Sequence, residues 1–276
     1  MTVTLDTSIR PIKPIKSIKP IKPIWPAPAH VIAGVSARSG GCSQAPYQSM
    51  NLAHHVGDKV NDVTNNRAQL ALSENTSAQQ WQWLEQTHST AIIEVNQVQN
   101  QALQADAAFT SQHNTVCTVM TADCLPILLC DAQGTRVAAI HAGWRGLANG
   151  VISNSINAFC NQLPIIKSQA IYAWLGPAIG PDHFEVDADV REAFVNDTAI
   201  GQLNAAAFEA QANNKYKADI YQLATIALNA CGVHSIYGGG FCTVCESERF
   251  YSYRREAQTG RMASYIYLDT NQNSAN

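Results

Sequence analysis

The chain has 276 residues, room for one large domain or two small ones, and its 46% apolar content is ample for a substantial core, which excludes disorder throughout. Net charge is −3, but Arg10, Lys13, Lys16, Lys19 and Lys22 against Asp6 make residues 1–25 four charges positive and leave the remainder at −7, a balance that argues against a nucleic-acid partner. No apolar run approaches membrane-span length and no secretory-type apolar segment follows the first lysines, so the expected setting is the cytoplasm, away from membranes.

Residues 10–25 repeat Pro-Ile-Lys with small variations. Proline at this density forbids helix and favours an extended, solvated chain. A disordered leader is therefore expected over residues 1–23, with a lysine-rich docking tail as the alternative. The folded domain is expected over 24–270 and a flexible tail over 271–276. Within the domain, Val31–Ser36 reads as a strand. Asp58 is a candidate N-cap, and Val60, Val63 and Leu70 follow at helical spacing, predicting a helix from Lys59 to Leu72. Arg67 would share that apolar face, which implies a carboxylate or an anionic ligand for it. Trp81–Glu85 and Ala91–Val95 read as strands separated by a turn that carries His88. Gln104–Thr110 reads as a loop holding Asp106, and Thr115–Met120 as a strand.

The next stretch is the most informative. Two apolar runs, Leu125–Cys130 and Arg136–Ile140, flank the polar turn Asp131–Thr135, which predicts a β-hairpin. Cys124 stands at the start of its first strand and His141 at the end of its second, so antiparallel pairing sets them side by side. Further on, Leu147–Asn161, Ala188–Asn196 and Ala218–Ala230 carry helical periodicity, the last closed by Gly232. Ala170–Leu175, Ser235–Phe241, Phe250–Arg255 and Ser264–Leu268 read as strands. Strands and helices mix without strict βαβ alternation, so the expected class is α+β, a single-domain mixed α/β sandwich.

His88, Cys124 and His141 form the candidate constellation. Zinc is commonly held by mixed nitrogen and sulfur ligands, and three protein ligands with one open position is the catalytic pattern. Their separations match no local finger motif. The residues alone leave open both a metal site and a buried thiol with two surface imidazoles. Cys242 and Cys245 make a CxxC pair, but no second such pair follows at finger spacing, so they are expected merely to lie near the site. Of the neighbours His54 and His55, at most one should point inward. His113, His183 and His234 are expected to be structural or superficial. Arg145, at a helix start, is placed to help form an anion pocket. Arg254, Arg255 and Arg261 lie among aromatic residues, a combination suited to a flat base plus an anion or to ordinary surface pairing.

Several short motifs run in order along the chain: Pro23-Ile24-Trp25-Pro26, Asn51-Leu52, His55-Val56-Gly57-Asp58, Asn66-Arg67, Gln86-Thr87-His88, Ala122-Asp123-Cys124-Leu125-Pro126, His141-Ala142-Gly143-Trp144-Arg145-Gly146, Gly176-Pro177-Ala178-Ile179-Gly180, Phe241-Cys242-Thr243 and Tyr253-Arg254-Arg255. In these the chain resembles the YfiH-like family, also called the laccase-domain, polyphenol oxidase or peptidoglycan editing factor family. The resemblance spans residues 24–269. Ala53 stands where that family usually has glycine, and Ser36-Ala37-Arg38 replaces its more usual Thr-Thr-Arg. The resemblance implies a single-domain α/β sandwich with a zinc site on His88, Cys124 and His141. It also implies phosphorolysis of adenosine, inosine, guanosine and methylthioadenosine, deamination of adenosine, and, from the laccase name, copper-dependent oxidation of phenols.

One sulfur and two nitrogen ligands suit Zn2+, and copper would also bind them. A laccase moves electrons through several coppers, and eight singly spread histidines do not supply the ligands for that. Nucleoside chemistry is therefore expected ahead of oxidation. Deamination needs a proton shuttle, for which Asp123 beside Cys124 is the candidate. Phosphorolysis needs an anion pocket, and Asn51, Arg67 and Arg145 are the substrate-binding candidates. A metal-free alternative makes Cys124 a nucleophile and His141 its base, in a hydrolase that edits peptidoglycan precursors. A third possibility is a zinc-stabilised, non-enzymatic partner of cell-wall synthesis.

Overall fold

The apolar runs of the sequence become strands buried on both faces. In a computed structural model, which describes residues 18–161, 170–196 and 200–270, two sheets lie face to face. One has six strands in the spatial order Ser235–Gly238, Ile171–Leu175, Leu125–Asp131, Val137–Ala142, Ala107–Thr110 and Ile92–Glu94. The other has four, in the order Val31–Val35, Met262–Leu268, Val116–Thr121 and Trp81–Gln82. Alternate residues of each strand serve different layers. Leu125, Ile127 and Leu129 pack toward the helices Val151–Cys160 and Ile220–Ala230, whereas Leu128 and Cys130 pack toward the second sheet. In that second sheet, Cys117 and Val119 face the first, while Val116, Tyr265 and Tyr267 face the helix Val60–Ser73 through Leu70 and Ala71. The result is four layers, helix on sheet on sheet on helices. A strand buried on both faces reads as a continuous apolar run rather than an alternation. Each fully buried Leu or Ile here contributes roughly 1.5–3 kcal/mol.

The hairpin forms as expected, with Leu125 opposite Ala142 and Pro126 opposite His141. Other expectations shift. Ile21 exchanges two backbone hydrogen bonds with Val35, Lys22 pairs with Glu74, and Ile18 packs beside the third core cluster. The ordered fold therefore starts before residue 24, because apolar isoleucines of the repeat dock on the sheet. Most of the expected leader, residues 1–17, and the expected tail, residues 271–276, lie outside the described residues. The helix expected from Leu147 to Asn161 is two, Trp144–Ala148 and Val151–Cys160, because Gly150 adopts a left-handed φ of 91° between them. Phe250–Arg255 is not a strand; a short helix, Tyr253–Glu256, is capped by the Ser252 side chain. Asp58 does not cap the helix Val60–Ser73, and Val60 is exposed. Ala107–Thr110, read as loop, is an inner strand of the six-stranded sheet. No helix among the described residues is long and apolar enough to cross a membrane.

Candidate metal centre

The hairpin register sets the site. Cys124 lies two residues before Pro126, which faces His141, so Cys124 and His141 are diagonal neighbours on one face. His88 arrives from the turn between Leu84–Glu85 and Ile92–Glu94, with a left-handed φ of 59°. Its Nε2 stands 3.6 Å from Cys124 Sγ, and its ring meets that of His141 edge-on with centroids 4.8 Å apart. The ligand atoms of His88, Cys124 and His141 all lie within 4.8 Å of one another. His141 is buried, Cys124 is half-buried and His88 is exposed.

Asp106 organises this cluster, and the sequence alone assigned it no part. Its carboxylate is fully buried. It accepts hydrogen bonds from the backbone N–H groups of Thr87, His88 and Ser89 at 3.2, 3.0 and 2.7 Å, and from Ser89 Oγ at 2.7 Å. Its Oδ1 also stands 2.7 Å from His141 Nδ1. An ionised carboxylate only accepts, so Nδ1 carries a proton and Nε2 is left for a metal or for Cys124. Burial pushes the Asp106 carboxyl up, but the hydrogen bonds from His141 and Ser89 outweigh it and hold the group down at about 2. The sequence signal for this role is an acid immediately before the apolar run Ala107–Phe109.

The electrostatics of the other two groups are coupled. Burial disfavours the Cys124 thiolate, yet His141 and His88 bring the thiol down to about 6. Burial likewise disfavours the His141 cation, and the Cys124 and Asp106 charges raise it to about 9. These directions favour the Cys124 thiolate, the form in which a cysteine ligates a metal. A soft thiolate and two imidazoles converging on one point, one imidazole locked by a carboxylate, fit a thiophilic divalent metal with one open corner. Gly143 makes the convergence possible. A Cβ there would stand 2.4 Å from His88 Cδ2 and 3.2 Å from Cys124 Sγ.

The centre opens into a cavity of about 530 Å³. That is the size range of small-molecule sites. Trp144, Ile179, Phe184, Ile220 and Tyr253 give it apolar walls, and Arg145, Arg254 and Arg261 give it positive charge. Tyr253 is 59% exposed and leaves a ring face open to solvent at the cavity. Of the two adjacent histidines only His55 lines the cavity, as expected. Its imidazolium is disfavoured by burial and by Arg261 and Arg67.

Three expected site residues are tied into hydrogen bonds or stacking, and of these Asp123 also lines the main cavity. Asp123, the candidate proton shuttle, has both oxygens engaged, one by Thr243 Oγ1 at 2.5 Å and one by the Arg254 N–H at 2.7 Å. It anchors the Cys124 end of the hairpin to two other segments, with a left-handed φ of 86°. Asn51 is fully buried; it donates to Asp58 and Ala53 and accepts from the Arg261 N–H. Arg67 stacks 3.7 Å above the Trp83 ring and donates to the Leu52 carbonyl at 2.8 Å, on a smaller cavity of its own. Its partner is thus an aromatic face and a carbonyl, where a carboxylate or an anion was expected. Arg145 does line the main cavity, resting over Trp144 with its guanidinium exposed.

A family model described as multi-copper polyphenol oxidoreductase laccase matches residues 32–269. The chain is 47% identical over 245 residues to a protein of Pseudomonas aeruginosa named purine nucleoside phosphorylase, covering 88% of this chain and 96% of that one. It is 47% identical over 244 residues to the purine nucleoside phosphorylase YfiH of Escherichia coli, again covering 88% of this chain and 96% of that one. The crystal structure of the Neisseria meningitidis protein NMB0706 matches with a TM-score of 0.85 and 44% identity, over 91% of this chain and 99% of that one. Motifs, fold and likenesses agree, and the chain belongs to the YfiH-like, laccase-domain family.

Proposed function

We propose that the chain is a zinc-dependent purine nucleoside phosphorylase of the cytoplasm, with His88, Cys124 and His141 as ligands. The observation that carries this reading is the convergence of one sulfur and two nitrogen donors at the floor of a cavity with both aromatic and cationic walls. The names of the relatives support it, and the eight free thiols fit a reducing compartment. Adenosine, inosine, guanosine and methylthioadenosine are the proposed substrates, with phosphate as co-substrate. Adenosine deamination is proposed as a second activity of the same cavity.

The residues divide the work. Tyr253, Phe184 and Trp144 offer faces for a purine ring. Arg145 offers a guanidinium with no other hydrogen-bonded partner among the described residues, and Arg254 and Arg261 add positive charge to the same cavity. Together they bind a phosphate anion and hold it near the ribose. In phosphorolysis a phosphate oxygen forms a bond to C1′ of the ribose, the bond from C1′ to the base nitrogen breaks, and the base leaves with the electron pair. A zinc ion supplies Lewis-acid charge stabilisation beside that reaction. Asp106 keeps the proton on His141 Nδ1, so Nε2 remains a ligand throughout. His55, kept neutral, offers a ring nitrogen to a base edge. Measuring free base formed from adenosine or inosine, with and without phosphate, tests this reading: base that appears without phosphate dependence would refute phosphorolysis.

A second reading has one specific observation behind it. Asp106, His141 and Cys124 stand in the order of an orienting acid, a base and a nucleophile. That is the arrangement of a cysteine hydrolase, which would act on peptidoglycan precursors without metal. Retained hydrolysis in chelator-treated protein, with a covalent adduct at Cys124, would favour it. Copper-dependent phenol oxidation ranks below both, because a three-ligand centre does not make a multi-copper relay.

A further inference from the structure

A second group of soft donors lies outside the centre described above. His183, Cys242 and Cys245 place their ligand atoms within 4.8 Å of one another. The sequence presents Cys242 and Cys245 as a CxxC pair without a partner motif, and His183 as a surface residue. Folding brings them together, because Gly180 packs directly on Cys242. A Cβ at Gly180 would stand 3.1 Å from Cys242 Sγ. His183 ends the single turn Pro181–His183 that follows this glycine.

Cys242 is already held as a thiolate ligand would be. The Gly180 N–H and the Cys245 N–H each donate to its sulfur at 3.4 Å. Two backbone N–H groups aimed at one sulfur are the outer contacts that orient a ligating cysteine. The Cys242 N–H in turn donates to Glu246 Oε1 at 3.1 Å, which fixes the turn that presents both thiols. Among the described residues no helix begins at the pair, whereas a dithiol redox motif sits at a helix N-terminus. A histidine as third donor is what a metal site adds and a redox pair does not need.

We propose that His183, Cys242 and Cys245 form a second metal site, for a thiophilic divalent cation of the zinc class, with solvent at the fourth position. An open fourth position is the pattern of catalytic zinc, but His183, Cys242 and Cys245 line neither cavity described above, so the task assigned to this site is to tie together the loops that carry them. The segment that carries Cys242 also carries Thr243, which donates to Asp123 beside Cys124. The His183 carbonyl accepts from Arg254, and Phe184 and Arg254 line the main cavity. A metal at this place staples two loops that form the cavity rim. Binding expels the thiol protons to solvent and involves no oxidation.

The test uses full-length protein, stripped of metal and kept reduced without oxygen, titrated with Co2+ while sulfur-to-cobalt charge-transfer absorption is recorded. Wild type should take two equivalents, one of them with about twice the thiolate absorption of the other. Cys245→Ser should take one and lose the stronger band. His88→Ala should keep the stronger band and lose the weaker, which separates this site from the proposed catalytic centre. Cys245 is exposed, so the metal-free variant should melt with wild type, and only wild type should gain a second upward shift in melting temperature at the second equivalent. The proposal is overturned if Cys245→Ser binds as much cobalt as wild type. It is equally overturned if reduced wild type takes a single equivalent that His88→Ala abolishes, whether or not air then joins Cys242 and Cys245 in a disulfide.

Discussion

Asp106 Oδ1 stands 2.7 Å from His141 Nδ1, and the same buried carboxylate accepts three consecutive backbone N–H groups from the turn that carries His88. One side chain thus orients two of the three candidate ligands. Asp106→Asn should lower metal affinity by about 10–100-fold, since an amide cannot accept from all these donors. Asp106→Ala should also destabilise the fold by about 3–5 kcal/mol, the scale for breaking a buried pair. Competition with a chromogenic chelator and urea unfolding measure the two effects. Unchanged metal affinity in Asp106→Asn would show that the carboxylate does not set the ligand geometry.

Gly143 should tolerate no side chain. In Gly143→Ala the new methyl would overlap the His88 ring, with only 2.4 Å to Cδ2. We expect His88 to swing out and metal affinity to fall at least tenfold, while Cys124 remains a ligand. Cobalt spectra should show a changed coordination number with the thiolate band retained. An unaltered spectrum would contradict the close packing.

Much of the architecture is legible in the sequence because strands buried on both faces advertise themselves. Leu125–Cys130 and Val137–Ile140 are unbroken apolar runs around a polar turn, and the pairing that this pattern dictates is enough to set Cys124 beside His141. His88 joins them as a candidate from its turn between two predicted strands, but as a ligand only through what the family motifs imply, because a turn of this kind has no periodicity to place it. Asp106 stays hidden for a different reason: its importance lies in five accepted hydrogen bonds, all long-range, and no local pattern records them. Arg67 misleads because an arginine on an apolar helix face is expected to seek an anion, whereas Trp83 offers an aromatic face instead.

The cavity arginines should separate in kinetics. Removing Arg145 deletes an exposed guanidinium over Trp144 at the cavity. Arg145→Ala should raise the phosphate KM about 10–100-fold, the scale of one charge-assisted hydrogen bond of about 1.5–3 kcal/mol. Arg67→Ala should leave the phosphate KM unchanged and lower the melting temperature instead. The reverse pattern would place the anion pocket at Arg67.

Glu256 links acid stability to the cavity rim. It accepts from Arg38, Arg255 and Thr259, and so holds the segment that presents Tyr253, Arg254 and Arg261. Burial raises its carboxyl, but the hydrogen bonds of Thr259 and Arg38 prevail and hold it below its ordinary 4.5. A depressed carboxyl stabilises the fold at pH values above that ordinary value, and the contribution fades as pH falls through the lower folded value. Urea unfolding of wild type and Glu256→Gln should thus differ by a constant amount near neutrality and converge below pH 4.5. A gap that persists or widens in acid would show that the Glu256 charge does not contribute.

The central claim is that the centre of His88, Cys124 and His141 serves nucleoside phosphorolysis in the adjoining cavity. Zinc-loaded protein is incubated with inosine or adenosine and phosphate, and free base and ribose 1-phosphate are quantified, for wild type and for His88→Ala. The account predicts equimolar base and ribose 1-phosphate from wild type, strict dependence on phosphate, and loss of both zinc and turnover in His88→Ala. No turnover of any purine nucleoside by the zinc-loaded wild type, or undiminished turnover by a zinc-free His88→Ala, would contradict it.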